Sequence, residues 1–213
     1  MAYNRALGLF LSFEGVDGSG KTTQIQLLAD WFRERGVEPL IAQEPGGTRV
    51  GREIRKLLLD SRSTDLRPIP ELLLYFASRA QNLAEVIRPA LEPGRVVIAD
   101  RFTDASVAYQ GHGRGLGEET VRAIDSIACE GIQPDLTLWL DIDPEVGVRR
   151  ALARELASDE SRMEREALDF RVKVRDGYQR IHESDPGRVK RIDASGVVEE
   201  VFQAIRSEVE DAL

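Results

Sequence analysis

The sequence predicts an α/β fold in which a five-stranded parallel sheet lies between two layers of helices. Short apolar runs alternate with segments of helical periodicity along the 213 residues, and this alternation is typical of parallel sheets covered on both faces. The first apolar run is followed at residues 15–22 by the pattern G-x-x-x-x-G-K-T and then by an amphipathic segment. These observations predict a three-layer fold of the P-loop NTPase type, formed by a single domain over residues 1–213 with a lid segment at about 150–165.

The five strands are predicted from apolar runs that stop at glycine or polar residues. The first occupies residues 7–13 and ends at Glu14-Gly15. Because ligands gather where parallel strands end, the polar segments after the first four strands are expected on one rim of the sheet. The other strands are predicted at residues 39–42, 95–99, 136–140 and 189–192.

The helices are predicted from apolar residues that recur every three or four positions. The first begins near Lys21 and is expected to end with Gly36 as its C-cap. The polar residues 155–165 predict a mobile loop, and the glycine-rich stretch around His112 predicts an exposed one. Further helices are predicted at residues 50–59, 70–87, 118–129, 144–154 and 166–183, and from residue 198 onward.

The composition excludes several classes of protein. The single cysteine, Cys129, rules out an internal disulfide and a Cys-cluster zinc site, and two histidines leave little for a histidine-based metal centre. No apolar run is long enough to span a membrane, and the formal charge of −8 argues against nucleic acid as the main partner. We therefore expect a cytoplasmic protein that binds neither membranes nor nucleic acid.

The pattern at residues 15–22 predicts a phosphate-binding loop. Its glycines allow consecutive N–H groups to turn inward around phosphate oxygens, and the following helix adds the positive end of its dipole. Lys21 is expected to reach the β- and γ-phosphates of ATP, while the Thr22 hydroxyl and the Asp100 carboxylate hold Mg²⁺. The alternatives are a plain glycine-rich turn and, for Asp100, a helix cap or a surface acid. The ATP-binding residues are predicted to be Gly15, Val16, Asp17, Gly18, Ser19, Gly20, Lys21, Thr22 and Thr23.

Two features narrow the class of P-loop protein. Neither Asn4 nor Asn82 is followed by lysine, so the N-K-x-D pattern of guanine-specific switches is absent from the sequence. The basic residues are 25 arginines and 4 lysines, and arginine suits phosphate recognition, although a biased genome gives the same excess. A compact chain with a P-loop and many arginines favours a kinase that acts on a small molecule.

Five motifs together make the chain similar to the thymidylate kinase family over nearly its whole length. That resemblance implies an ATP- and Mg²⁺-dependent enzyme that phosphorylates dTMP to dTDP and works as a homodimer. The alternatives are a kinase for another deoxynucleotide and a non-catalytic P-loop protein that senses ATP. The motifs are residues 13–23, Glu44-Pro45-Gly46-Gly47-Thr48, Asp100-Arg101-Phe102, residues 108–115 and Pro134-Asp135-Leu136-Thr137.

The resemblance also implies which residues bind dTMP. Tyr75, where the family usually has Phe, would stack on thymine, and Arg79, four residues later on the same helix face, would donate to O4. Tyr109 would exclude a ribose 2′-hydroxyl. The other implied contacts are Gln110 and Ser106 with the N3–H and O4 edge, Asp17 with the 3′-hydroxyl, and Arg55 and Arg101 with the acceptor phosphate.

The source of transition-state charge is expected in the lid. The variable positions of the P-loop hold no arginine, so the resemblance is to the bacterial type in which the lid supplies it. Arg154 fits best and Arg162 second, while Arg150 is expected to stack on adenine. With Lys21 and Arg101, these two lid arginines complete the predicted catalytic set.

Overall fold

The computed structural model describes residues 8–155 and 166–213, with residues 151–155 as backbone only. In these ranges five parallel strands form one sheet in the order β2-β3-β1-β4-β5. The predicted parallel α/β fold is therefore confirmed, and each strand lies within a few residues of its prediction. The strands are β1 (Phe10–Glu14), β2 (Leu40–Gln43), β3 (Val97–Asp100), β4 (Leu136–Asp141) and β5 (Val189–Asp193).

Most helices also match the prediction, with small differences at their ends. The first helix ends at Arg33, and Gly36 closes it as predicted. With a φ of 76°, Gly36 donates its N–H to the Arg33 carbonyl at 2.9 Å, and the Val37 N–H donates to the Phe32 carbonyl at 3.0 Å, which is the hydrogen-bond pattern of a glycine helix cap. The helix predicted at 70–87 is longer, because a π-helical turn (Leu83–Ile87) joins two α-helical parts. The helices are α1 (Lys21–Arg33), α2 (Arg49–Leu59), α3 (Pro68–Asn82), α4 (Arg88–Leu91), α5 (Thr103–Ser106), α6 (Glu118–Ala128), α7 (Pro144–Glu155), α8 (Leu168–Ser184) and α9 (Val198–Ala212).

The glycine-rich stretch around His112 is helical, which corrects the predicted exposed loop. A π-helical segment (Val107–Gly113) continues α5, and His112 is half-buried within it. Its glycines permit close packing on α8. A Cβ added at Gly113 would lie 2.6 Å from the Phe170 ring, and one added at Gly177 would lie 3.0 Å from Cα of Ala108. Glycine here serves a helix contact and not a turn, and the sequence pattern alone does not distinguish the two.

The sheet is buried on both faces, as the continuous apolar runs require. All five residues of β1 and all six of β4 are buried, and Trp139 of β4 stacks on Tyr178 of α8 with ring centroids 6.0 Å apart. Of the loop predicted at residues 155–165, Glu155 is the last residue of α7 and residues 156–165 lie outside the described residues. None of the described helices is both long and apolar enough to cross a membrane.

Candidate active site

A cleft of about 350 Å³ lies at the carboxyl ends of β1, β2 and β3. The P-loop after β1 forms one wall, and α2, α3 and the helix after β3 form the other. The segments after the first three strands therefore meet at one site, placed where the strand order reverses at β1, whereas none of the described residues after β4, the fourth strand of the predicted rim, lines it. All eight residues predicted to contact dTMP line it, together with Gly18, Gly20, Lys21, Thr22, Thr23 and Asp100 from the predicted ATP and metal sites.

The P-loop has the backbone geometry of an anion cradle. Gly15, Gly18 and Gly20 have φ values of 135°, 77° and 93°, which side chains other than glycine rarely adopt. Gly18 also touches α7, since a Cβ added there would lie 2.1 Å from the carbonyl oxygen of Gly147. Val16 and Ser19 are buried behind the loop and do not line the cleft. Thus α7, which leads into the predicted lid segment, is in direct contact with the loop.

Lys21 is folded back onto the loop. Its Nζ donates to the carbonyl oxygens of Gly15 and Val16, at 3.1 Å each, and the residue is only 8% exposed. Burial, reinforced by the positive charge of Arg101, lowers the pKa of Lys21 to about 8, although Asp17 and Asp100 oppose the shift. An anion entering the cradle therefore meets an ammonium group that lacks full compensation.

Arg101 lies at the centre of the cleft and connects its two halves. It has a φ of 74°, a conformation that is strained for a residue with a side chain. Its Nη1 donates to the Gly15 carbonyl at 2.9 Å, and its Nη2 donates to Asp17 at 2.8 Å and to the Tyr109 hydroxyl at 3.1 Å. Burial alone would raise the pKa of Asp17, but Arg101, Lys21 and Arg171 hold it below its usual value.

The far end of the cleft is built around Arg79. This arginine is 2% exposed, and its Nε donates to Glu44 at 2.6 Å. Its Nη1 donates to Ser106 at 3.1 Å, and its Nη2 to the Phe102 carbonyl at 3.0 Å. Ser106 therefore holds the Arg79 guanidinium by a hydrogen bond. Both side chains were predicted to contact the same edge of thymine.

The remaining predicted dTMP contacts lie around this arginine. Tyr75 is half-buried one helical turn before Arg79 on α3, and Arg55 of α2 donates to the Pro45 carbonyl at 2.8 Å. Gln110 is 2% exposed and directs its amide nitrogen away from the cleft to Glu71, at 2.9 Å. These residues therefore line the same cleft as Arg79.

The metal-binding prediction rests on Thr22 and Asp100. Thr22 is exposed in the first turn of α1, Asp100 is the last residue of β3, and both line the cleft. Among the described residues no group of three or more His, Cys, Asp or Glu side chains is placed to hold a metal. One hydroxyl and one carboxylate suit Mg²⁺, which keeps several waters and binds mainly through nucleotide phosphates.

The lid residues are only partly described. Arg150 of α7 is exposed, and its guanidinium donates to the carbonyl oxygens of Ala194 at 3.0 Å and of Ser195 at 3.3 Å. Arg154 belongs to the last turn of α7, but its side chain is outside the described set, and Arg162 lies outside the described residues altogether.

Two buried acids of the site carry roles that the sequence analysis did not assign. Glu14 accepts hydrogen bonds from Ser12 and Tyr178 side chains at 2.9 and 2.8 Å and from the Phe102 amide at 2.7 Å. Glu44 pairs with Arg79. Glu14 could have been predicted as a site residue, because it is a charged residue at the end of a buried apolar run. Glu44 could not, because its partner Arg79 lies 35 residues away and the pair leaves no local sequence pattern.

Comparison with known proteins gives one consistent result. A family model described as thymidylate kinase matches residues 13–205. The chain is 46% identical over 206 residues to a thymidylate kinase of Desulfovibrio desulfuricans, covering 95% of both chains. It is also 46% identical over 206 residues to one of Pelobacter propionicus, covering 95% of this chain and 94% of that protein. A crystal structure of thymidylate kinase from Ehrlichia chaffeensis superposes with a TM-score of 0.76 at 30% identity, covering 95% of this chain and 98% of that one.

Proposed function

Because the chain belongs to the thymidylate kinase family and is an ATP-dependent kinase that converts dTMP to dTDP, we propose that the cleft holds both nucleotides during the transfer. The observation that carries this proposal is the convergence of a P-loop cradle and the three arginines Arg55, Arg79 and Arg101 on one cleft. Two anionic substrates repel each other, and fixed cations at both ends offset that repulsion.

The donor end is assigned to the P-loop. Backbone N–H groups of residues 15–23 would bind the phosphates of ATP, and Lys21 would leave its carbonyl partners to contact the β- and γ-phosphates. Thr22 and Asp100 would hold Mg²⁺, which neutralises phosphate charge when bound. Arg150 and the turn at residues 193–196, which it already contacts, would lie beside adenine.

The acceptor end is assigned to the other wall. Arg101 and Arg55 would bind the phosphate of dTMP, and Asp17 its 3′-hydroxyl. Tyr75 would stack on thymine, Arg79 would donate to O4 with Ser106 holding it, and Gln110 would contact N3–H. Tyr109, fixed against Arg101, would occupy the place of a ribose 2′-hydroxyl.

The transfer needs no general base from the protein. The attacking atom is a phosphate oxygen that is already ionised at neutral pH, so positioning and charge neutralisation determine the rate. Lys21 and Arg101 supply positive charge from the described part of the site. Arg154, or Arg162 in its place, would add the charge that meets the transferring group when the lid closes.

We further propose a homodimer and a cytoplasmic location. Leu57, Leu73 and Ile127 are 49%, 50% and 80% exposed on α2, α3 and α6. Because α3 packs on both α2 and α6, we propose that these three exposed side chains belong to an apolar surface that a second copy would cover. A reducing compartment suits the free, buried Cys129.

The test of the activity is phosphoryl transfer from ATP, measured as ADP formation, with dTMP, dUMP, dCMP or thymidine as acceptor; the product expected from dTMP is dTDP. We expect dTMP to be preferred, and a preference for thymidine would contradict the assignment of Arg55 and Arg101 to a phosphate. Tight ATP binding without acceptor-dependent turnover would indicate a non-catalytic ATP sensor.

The lid assignment is tested separately by Arg154→Ala. This change should lower kcat by roughly a thousandfold or more while dTMP affinity stays near normal. Arg162→Ala is the matched variant, and an unchanged kcat in Arg154→Ala would transfer the role to Arg162.

A further inference from the structure

Behind the cleft lies a buried carboxylate that the reaction itself does not use. Glu71, in the first turn of α3, is fully buried. It accepts a hydrogen bond from Nε2 of Gln110 at 2.9 Å, and it accepts from Nε and Nη2 of Arg114, both at 3.2 Å. Arg114 also pairs with Glu166, which precedes α8. Burying an acid at this place is costly unless its charge is compensated, and Arg114 supplies that compensation.

The carboxylate determines which end of the Gln110 amide can face the cleft. An ionised carboxylate only accepts hydrogen bonds, so Gln110 must direct its nitrogen toward Glu71. In the planar amide the oxygen and the nitrogen diverge, so the oxygen is turned away from Glu71, and Gln110 is among the residues that line the cleft. Within the described residues that oxygen has no hydrogen-bond partner, so it is available to a ligand as an acceptor.

We propose that Glu71 is a positioning residue that makes the site select thymine over cytosine by fixing the orientation of Gln110. This inference rests on the proposed function, in which the base lies between Arg79 and Gln110. Thymine presents an acceptor at O4 and a donor at N3–H, which match the Arg79 guanidinium and the Gln110 oxygen. Cytosine presents a donor at position 4 and a lone pair at N3, so both contacts become repulsive.

The substitution Glu71→Gln removes the constraint without changing the shape of the side chain. The introduced amide can donate as well as accept, so the Gln110 amide is free to turn and offer its nitrogen to the base. We expect kcat/KM for dTMP to fall about tenfold, and the preference for dTMP over 5-methyl-dCMP to fall by at least a further tenfold. The KM for ATP should stay within twofold. Because the two acceptors differ only in the edge that meets Arg79 and Gln110, a general loss of structure would lower both rates together.

The matched control is Glu166→Gln, which also takes a carboxylate from Arg114 but has no described contact with Gln110. It should leave the acceptor ratio unchanged. In Gln110→Ala the ratio should collapse, and adding Glu71→Gln to that variant should change it no further. The proposal is overturned if Glu71→Gln keeps the wild-type ratio, or if Glu166→Gln alters it to the same extent. If instead the wild-type protein makes no dTDP from dTMP, it is the proposed function that has failed.

A second measurement covers the case in which Glu71→Gln does not fold. In the wild-type protein labelled with ¹⁵N-glutamine, the side-chain amide protons of Gln110 should exchange with water far more slowly than those of the exposed Gln203. Exchange of Gln110 as fast as that of Gln203 would mean that Glu71 does not hold its nitrogen, and would overturn the proposal.

Discussion

At the scale of single residues, Lys21 ties ATP binding to pH. Its pKa is lowered to about 8 by burial and by Arg101, and phosphate oxygens would raise it again. Above pH 8 the free enzyme must therefore take up a proton when ATP binds. We expect the Kd for ATP to rise between pH 8 and 9.5 by up to about tenfold per pH unit.

Calorimetry in two buffers of different ionisation enthalpy checks this directly, because proton uptake makes the observed heat depend on the buffer. Lys21→Arg, which stays charged throughout the range, should remove the pH dependence even if it weakens binding. A Kd for the wild-type protein that stays constant from pH 8 to 9.5 would contradict the prediction.

Glu14 should link stability to pH in the opposite direction from most carboxylates. Burial, with the negative charge of Asp104, raises its pKa from 4.5 to about 7. Between those values the folded protein keeps a proton that the unfolded chain has lost, so stability decreases as the pH rises toward 7. Glu14→Gln is neutral at all pH values, and its Tm should increase relative to wild type as the pH is raised from 5 to 8.

Thermal unfolding followed by circular dichroism at pH 5 and pH 8 measures the effect. Glu119→Gln, at an exposed position of α6, is the control for removing one negative charge. The prediction fails if Glu14→Gln and wild type differ in Tm by the same amount at both pH values.

Some residues of the site could be predicted from neighbouring positions in the sequence, and others could not. Lys21, Thr22 and Asp100 could be placed from sequence, because the P-loop and the strand ends position them through neighbours in the chain. Glu71 could not, because its partner Gln110 lies 39 residues away and the contact exists only after α3 packs against the helix that follows β3. Ionic and hydrogen-bond networks of this kind have no sequence period.

At the scale of elements, the packing of α8 on the helix after β3 supports the cleft. That helix carries Tyr109 and Gln110, and Gly177 allows α8 to approach it. A Cβ at Gly177 would lie 3.0 Å from both Cα of Ala108 and a ring carbon of His112. Gly177→Ala should therefore force the two helices apart and cost about 1–3 kcal/mol of stability.

We expect Gly177→Ala also to raise the KM for dTMP more than that for ATP, because the displaced helix contributes to the acceptor wall only. Denaturant unfolding and initial-rate kinetics measure both effects. Gly187→Ala is the control, since the nearest atom to its added Cβ is an Asp185 oxygen 3.9 Å away. Equal stability of the two variants would show that α8 has room to adjust.

Most strands and helices could be predicted from the sequence, and the segment that was missed has a physical explanation. Strand and helix periodicity placed β1 and α1 correctly because burial on a sheet imposes those patterns. The segment from Val107 to Gly113 was missed because its glycines usually signal turns, whereas here Gly113 makes room for the Phe170 ring. A close helix contact is a property of two elements, and neither sequence shows it alone.

At the scale of the whole molecule, net charge says little about the site. The protein carries −8 overall, yet Arg55, Arg79 and Arg101 all lie on one cleft. Six acids and one arginine in residues 193–213 account for −5 of the total. Most of these acids belong to α9, which packs on α1 and β5, and exposed charges are screened beyond about 10 Å. Local charge and not the total therefore governs the binding of two anionic nucleotides.

The proposed homodimer gives the last prediction. Ile127 is 80% exposed on α6, Leu57 and Leu73 are exposed on α2 and α3, and a stable interface needs about 800 Å² from each partner. Ile127→Asp would place a charge in the proposed apolar surface, so sedimentation should show the wild type at twice the chain mass of 23.8 kDa and the variant at the single mass. Val197→Asp, at a 60% exposed position just before α9, is the control and should leave the mass unchanged. A wild-type protein that sediments as a monomer would contradict the proposed homodimer. An Ile127→Asp variant that remains dimeric would show that the interface does not include Ile127. Because α3 contributes both Leu73 and the cleft residues Tyr75 and Arg79, loss of the dimer should also raise the KM for dTMP, an effect that Val197→Asp should not share.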